Sequence, residues 1–200
     1  ESIAYFASGE ARRIAVSGGA QAVIAKTSDG VVARATLGAS WGADNTILYS
    51  QPSGVWRVSA DGGTPELVVR ASDGELMGTP RLLPDRESVL FSVTKGNGVT
   101  RWDQAQIVVQ SLRTGERKTV WQGGSDAQFV PPGHLVYAVG NDLFALAFDV
   151  NRLAVSGRPV PVVQGVQRAV TPATNGDTAN YGVSDTGTLV YLPFGAFGTS

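Results

Sequence analysis

Cysteine is absent from the 200 residues, which rules out disulfides and thiolate metal sites and leaves the redox compartment open. Charge is sparse: Asp, Glu, Lys and Arg make up 16% of the chain and nearly cancel, to a net charge of -1. Without a basic field there is nothing to hold a nucleic acid or an anionic membrane surface, so neither is expected as a partner. No apolar run approaches the ~20 residues of a membrane helix, and there is no signal-peptide pattern. Helix signals are missing too, because apolar residues do not hold an i, i+3, i+4, i+7 face and the 25 glycines are scattered throughout. The chain starts at Glu1 directly inside a strand-like run, Ser2 to Phe6, which sets the expectation of a fragment excised from a longer protein.

What the sequence does contain is a repeat. An aromatic residue closing a short apolar strand recurs at Tyr5, Tyr49, Phe91, Tyr137 and Tyr191, at intervals of 44, 42, 46 and 54 residues. From the second onward, each is preceded by an aliphatic pair: Ile47-Leu48, Val89-Leu90, Leu135-Val136 and Leu189-Val190. Before each pair stands a polar or Pro/Gly turn, at Gly42 to Asn45, Pro84 to Glu87, Pro131 to Gly133 and Ser184 to Gly187. Such residues supply turn conformations and local hydrogen bonds. A third strand follows most of the aromatics, as in Val55 to Val58 and Gln106 to Val109, and a Gly-containing turn leads to a fourth. The run Leu143 to Phe148 alternates Phe144, Leu146 and Phe148 with Leu143, Ala145 and Ala147, which fits a strand with its bulkier residues on one face.

Periods of ~40 to 50 residues with four strands per unit are those of propeller blades. A four-stranded unit cannot bury both of its faces alone, so like units stack around an axis. The expected fold is therefore all-β, a propeller of four-stranded antiparallel blades. About four to five blades are present, as part of a larger ring of six or more. Approximate blade bounds are 1–27, 28–71, 72–122, 123–165 and 166–200, with Trp41, Trp56, Phe91, Tyr137, Phe144 and Tyr191 hidden between blades.

The phrases Ala39 to Tyr49, Gly54 to Gly63 and Tyr181 to Tyr191, and Asp142 to Leu153 with Gly157 to Val163, resemble the blade motifs of TolB-like (WD40-like, PD40) bacterial propellers. Their combination is similar to propellers fused behind a membrane helix to bacterial serine/threonine kinases. The resemblance implies an extracytoplasmic sensor domain of a receptor-type kinase, a non-catalytic scaffold that recognises a protein or a small ligand; the alternatives are the propeller domain of a hydrolase or peptidase, and a periplasmic TolB-like protein-interaction module. No kinase motif occurs here: no G-x-G-x-x-G loop, no His-Arg-Asp and no Asp-Phe-Gly.

Gly38-Ala-Ser-Trp-Gly42 spells G-x-S-x-G, with the sole histidine, His134, downstream and Asp61 and Asp126 between them. That order matches a hydrolase triad. A nucleophile elbow needs a strand, a strained turn and then a helix, whereas Ser40 lies in a repeated strand followed by another strand. Ser28-Asp29-Gly30 and Ser72-Asp73-Gly74 are too sparse for the six to eight oxygen ligands of a hard cation. Gly96-Asn97-Gly98 lacks the Lys-Ser/Thr of a phosphate loop. No catalytic residue, metal ligand or cofactor is expected from these patterns.

Connection parity points to a recognition face. In an up-and-down blade the first-to-second and third-to-fourth turns share one end, and the remaining loops share the other. The longer segments Thr94 to Gln104 and Arg168 to Ala179 then fall at one end, where loops on a rigid scaffold commonly carry recognition. Arg101, Trp102 and Asp103 are the expected anchors there, since Arg and Trp are enriched at binding hot spots. Arg34, Glu75, Thr79, Arg81 and Asp126 fall near first strands and are expected at the channel mouth.

Overall fold

The computed structural model describes residues 1–27, 36–96, 98, 100–171, 176–184 and 186–195. Among them every regular element is a β-strand, and the strands follow one another as antiparallel meanders. The first sheet has three strands, β1 (Ser2–Ala7), β2 (Glu10–Ala15) and β3 (Ala22–Lys26). Three four-stranded sheets follow. The second comprises β4 (Ala39–Trp41), β5 (Thr46–Gln51), β6 (Gly54–Ser59) and β7 (Glu66–Arg70). The third comprises β8 (Glu75–Leu82), β9 (Ser88–Lys95), β10 (Gln106–Ser111) and β11 (Arg117–Gln122). The fourth comprises β12 (Ser125–Val130), β13 (His134–Val139), β14 (Asp142–Asp149) and β15 (Ala154–Val163). Two short hairpins close the described chain, β16 (Arg168–Thr171) with β17 (Gly176–Ala179), and β18 (Tyr181–Val183) with β19 (Leu189–Tyr191). The architecture is an open arc of propeller blades.

The turns form where side chains can stand in for backbone partners. Asp44 Oδ1 accepts the Thr46 N–H at 3.1 Å, and Asp85 Oδ1 accepts those of Glu87 and Ser88 at 3.0 and 2.9 Å. Ser184 Oγ does the same for Thr188 at 3.0 Å. These local bonds fix the strand reversal in the second sheet, the third sheet and the last hairpin.

Apolar layers lie between sheets. Ile47, Tyr49 and Val58 of the second sheet pack with Ala11, Ile24 and Ala25 of the first. Leu48, Val55 and Val69 meet Met77, Val89 and Phe91 of the third. Leu90, Ile107 and Val109 in turn meet Leu135, Tyr137, Leu146 and Phe148 of the fourth. Strand β14 shows how alternation serves two layers at once. Phe144, Leu146 and Phe148 face the third sheet, while Leu143 and Ala145 face Val166, Ala179 and Tyr181. Tyr49, Phe91 and Tyr137 are buried as the repeat requires, and Trp41, Trp56 and Phe144 are partly buried against the same layers. Tyr191 departs from the expectation and is 43% exposed, because it lies on the last described hairpin, with no further sheet on its outer face.

The innermost strands share an irregularity that creates the site. Pairings Trp41 with Ile47, Leu82 with Val89 and Phe129 with Leu135 place Gly38, Thr79 and Asp126 at equivalent positions. All three have left-handed backbone, with φ of 107°, 45° and 58°. In β8 and β12 this coincides with a register break, between Gly78 and Arg81 and between Ser125 and Gln128. A bulge re-aims side chains, so residues of adjacent blades turn toward one another here. At Gly38 the fit is closest, since a Cβ would lie 2.8 Å from the Thr79 backbone. Gly38→Ala is accordingly expected to lower stability by more than about 1 kcal/mol, read as a shift in the urea midpoint without a change in slope.

Candidate functional site

Where the bulged inner strands meet, five side chains from the third sheet, the fourth sheet and the two closing hairpins converge: Thr79 and Arg81 of β8, Asp126 of β12, Arg168 of β16 and Tyr181 of β18. Asp126 is buried, and its carboxylate takes the Ala179 N–H at 2.9 Å and the Ser125 hydroxyl at 3.3 Å, both on Oδ2. Its own N–H donates to Ser92 Oγ at 3.1 Å. Arg168, also buried, donates from Nη2 to Ser125 Oγ at 2.9 Å and from Nη1 to the Gly140 carbonyl at 2.6 Å, and Nη2 stands 3.7 Å from Asp126 Oδ2. The Tyr181 hydroxyl donates to the backbone carbonyls of Asp126 and Val136, the latter at 2.9 Å.

The electrostatics follow from enclosure. Burial raises the Asp126 carboxyl above its ordinary range, more than the Ala179 N–H and the Arg168 charge pull it down. Burial also raises the Tyr181 phenol, with the Asp126 charge adding to the effect, so the hydroxyl stays a donor. It lowers the Arg81 guanidinium, against the pull of Tyr181 and Asp126.

Adjacent blades are tied at the position two residues beyond the bulge. Ser40 Oγ donates to the Pro80 carbonyl of the next blade at 2.7 Å, and Gln128 Nε2 donates to that of Tyr181 at 3.3 Å. Arg81 occupies the equivalent place between them. Its Nε is buried without a hydrogen-bond partner, while the hydroxyl of neighbouring Thr79 is directed at Asp126. Among the described residues no hydrogen bond or ion pair reaches the Arg81 side chain.

Thr79, Arg81 and Asp126 are thus brought together, while Glu75 is drawn elsewhere. Its carboxylate pairs with Arg117 at 3.0 Å on the outermost strand of its own sheet. Burial works against its charge, but the Ser72 N–H and Arg117 hold it below the usual carboxylate range. Arg34 and the Ser28 to Gly30 turn lie outside the described residues. In the long β9–β10 loop, Arg101 and Trp102 point inward at 5% and 4% exposure. Trp102 packs on Leu37, Ala105 and Leu76, and the Arg101 guanidinium lies 5.9 Å from its ring centroid. Asp103 accepts the Gly140 N–H at 2.8 Å and faces Arg168 at 3.4 Å, so the two long segments do meet at one end. Beside that loop is a cleft of about 540 Å³ lined by Glu75, Thr94, Lys95, Arg101, Gln104 and Gln122. The Ser40 hydroxyl is spent on its tie to Pro80, and His134 lies two sheets away, exposed, so no triad assembles.

Arg168, Tyr181, Ser125 and Gln128 carry no local signal as site residues. Arg168 and Tyr181 lie at the edges of recognised segments, and only the equivalence of first strands could have drawn attention to Gln128.

No family model matches the chain, and no curated protein sequence does. Solved structures do. Regucalcin, a calcium-binding protein from Agrobacterium tumefaciens strain C58, aligns with a TM-score of 0.61 at 12% identity over 94% of this chain and 61% of its own length. A protein assigned to the gluconolactonases aligns with a TM-score of 0.56 at 14% identity over 90% of this chain and 69% of its own. An oligogalacturonate lyase in complex with manganese gives 0.50 at 13% identity over 74% and 41%. The chain is a partial β-propeller. It spans 61% of the length of the regucalcin that it matches.

These likenesses correct two expectations. The kinase-sensor reading, with its non-catalytic scaffold, is overturned: the matched propellers are a calcium-binding protein, an assigned lactonase and a lyase. The expectation that the chain is not an enzyme falls with it, because this shape is shared with enzymes. The physical reason is that blade phrases encode how a strand turns and packs, which is common to propellers whatever they are joined to. As for a cation, the inner-strand donors do not fit one. A single carboxyl, Asp126, has two guanidinium groups around it, and among the described residues no three Asp, Glu or His side chains converge.

Proposed function

We propose that this propeller is an enzyme that works by acid–base chemistry on a small sugar-derived substrate, with Asp126 as the proton carrier at the inner-strand bulge. The observation that carries the reading is the Asp126 carboxyl itself. It is enclosed, held in left-handed backbone and pushed toward keeping its proton, which suits a carboxyl that both gives and takes a proton during a reaction. Thr79 reaches it with its hydroxyl, and Arg81 stands beside it with an Nε–H that has no partner. Similarity to a lyase of oligogalacturonate and to an assigned gluconolactonase supports a sugar-acid derivative as the substrate class. The blade phrases support grouping the chain with TolB-like propellers.

Lactone hydrolysis is the form of the reaction that suits one proton carrier. Water adds to the carbonyl carbon, and the ring carbon–oxygen bond breaks. The ring oxygen leaves as a hydroxyl with the proton from Asp126, and a proton of the added water restores the Asp126 carboxyl. Arg168 is a positioning residue, since it reaches Ser125 and Asp126 from behind.

Asp126→Asn is expected to abolish acid release from D-gluconolactone in a pH-stat, by about a hundredfold or more. The same variant has a signature in stability. A carboxyl whose folded value is raised above its unfolded value near 3.9 contributes stability that is fully present below the unfolded value and is lost as pH rises through the folded one. The melting temperature of Asp126→Asn relative to the parent should therefore climb as pH rises above about 4. A flat difference, with turnover intact, would remove Asp126 from the mechanism.

A further inference from the structure

The Ser40 and Gln128 ties show what the structure does with a donor at this place in an inner strand: it spends it on the next blade's backbone carbonyl. Arg81 has the longest reach of the three and brings a fixed positive charge, yet its buried Nε–H is left without a partner among the described residues. A buried donor left unmet is destabilising, and a charged one more so. The groups around it sharpen the contrast. Gln128 is engaged with Tyr181 and Val183, the Tyr181 hydroxyl with two carbonyls, and Asp126 with Ala179, Ser125 and Arg168. Two residues back on the same strand stands the Thr79 hydroxyl, within reach of the Asp126 carboxyl. Arg81 retains partial exposure, so the guanidinium can be reached by a solute as well as sealed at Nε.

From this we infer that Arg81, with the Thr79 hydroxyl, is a subsite for a carboxylate on the substrate, so that the preferred sugar derivative is a monoanion or dianion and not a neutral one. A carboxylate offers two in-plane oxygens to the guanidinium fork and accepts the Nε–H in the plane where it is now unmet. The Arg168 charge does not compete for it, because that guanidinium is consumed by Gly140, Ser125, Asp103 and Asp126. The inference rests on the reading of this site as the place where substrate binds, but not on turnover.

Two measurements separate them. Titration calorimetry with D-glucarate and with neutral D-glucitol reads the subsite directly. Glucarate is expected to bind the parent at least about tenfold tighter than glucitol, and Arg81→Met to remove that preference while Arg81→Lys keeps part of it. Glucarate affinity equal to that of glucitol in the parent, or a preference that survives Arg81→Met, overturns the inference. Thermal melts of both variants show whether they are folded. If Arg81→Met does not fold, Thr79→Val carries the test with the same expected direction and the same overturning result. Turnover of D-glucarolactone against D-gluconolactone reads the proposed reaction. Hydrolysis of neither, with glucarate binding lost in Arg81→Met, would leave the carboxylate subsite standing and sink the enzyme reading alone.

Discussion

Arg168→Met is expected to lower the unfolding free energy by about 3 to 5 kcal/mol, the range for removing one partner from a buried charged network. The guanidinium is 5% exposed and serves four groups at once: the Gly140 carbonyl, the Ser125 hydroxyl, and the carboxylates of Asp103 and Asp126. Methionine nearly matches its volume and meets none of them. The loss removes from Asp126, already enclosed, the one guanidinium that forms an ion pair with it and leaves only the more distant influence of Arg81. It also releases the β9–β10 loop, whose Asp103 is tied to Gly140 and Arg168. Urea denaturation followed by tryptophan fluorescence measures the effect. A change below about 1 kcal/mol would mean that water replaces the guanidinium and that the network is not closed.

Trp102→Ala is expected to cost about 3 to 5 kcal/mol, as large aromatic truncations in a packed interior do. The indole fills the space that Gly78 leaves, where a Cβ would stand 2.9 Å from its Cζ3 and Cη2 atoms, and it covers Leu37 and Ala105 at the junction of the second and third sheets. The counter-expectation is definite. A tryptophan presented to solvent for a partner would leave stability within about 0.5 kcal/mol when removed. Chemical denaturation of the single variant decides between them, and Gly78→Ala should show a loss in the same direction because it collides with the same ring.

The repeat was legible because its parts are local. Asp44, Asp85 and Ser184 write their turns within four residues, and the alternation in Leu143 to Phe148 assigns each side chain to one of two apolar layers without knowledge of any neighbour. Position near the first strands grouped Thr79, Arg81 and Asp126 with Arg34 and Glu75, but it does not separate those that meet from those that do not. What escaped was whatever depends on contacts across blades. Arg168 is 42 residues from Asp126 in sequence, and nothing near it signals a buried ion pair. Glu75 reads as a mouth residue until Arg117, at the start of the outermost strand, claims it. Trp102 looked like an anchor because hot-spot composition does not distinguish a ring facing out from one filling the gap over a glycine. Ser40, by contrast, was legible, because the G-x-S-x-G spelling around it is followed by a strand and not by the helix that an elbow requires.

The separate apolar layers between successive sheets have a consequence of their own. Each layer belongs to two neighbouring sheets and to no others, so the molecule has no single centre whose loss unfolds all of it. Its cohesion is a chain of nearest-neighbour couplings, in which a defect weakens two sheets and leaves the distant ones to stand. The inner-strand bulge is the exception, because Asp126 and Arg168 join three meanders at one point. The residues assigned to chemistry are therefore also where neighbouring couplings are made to act together.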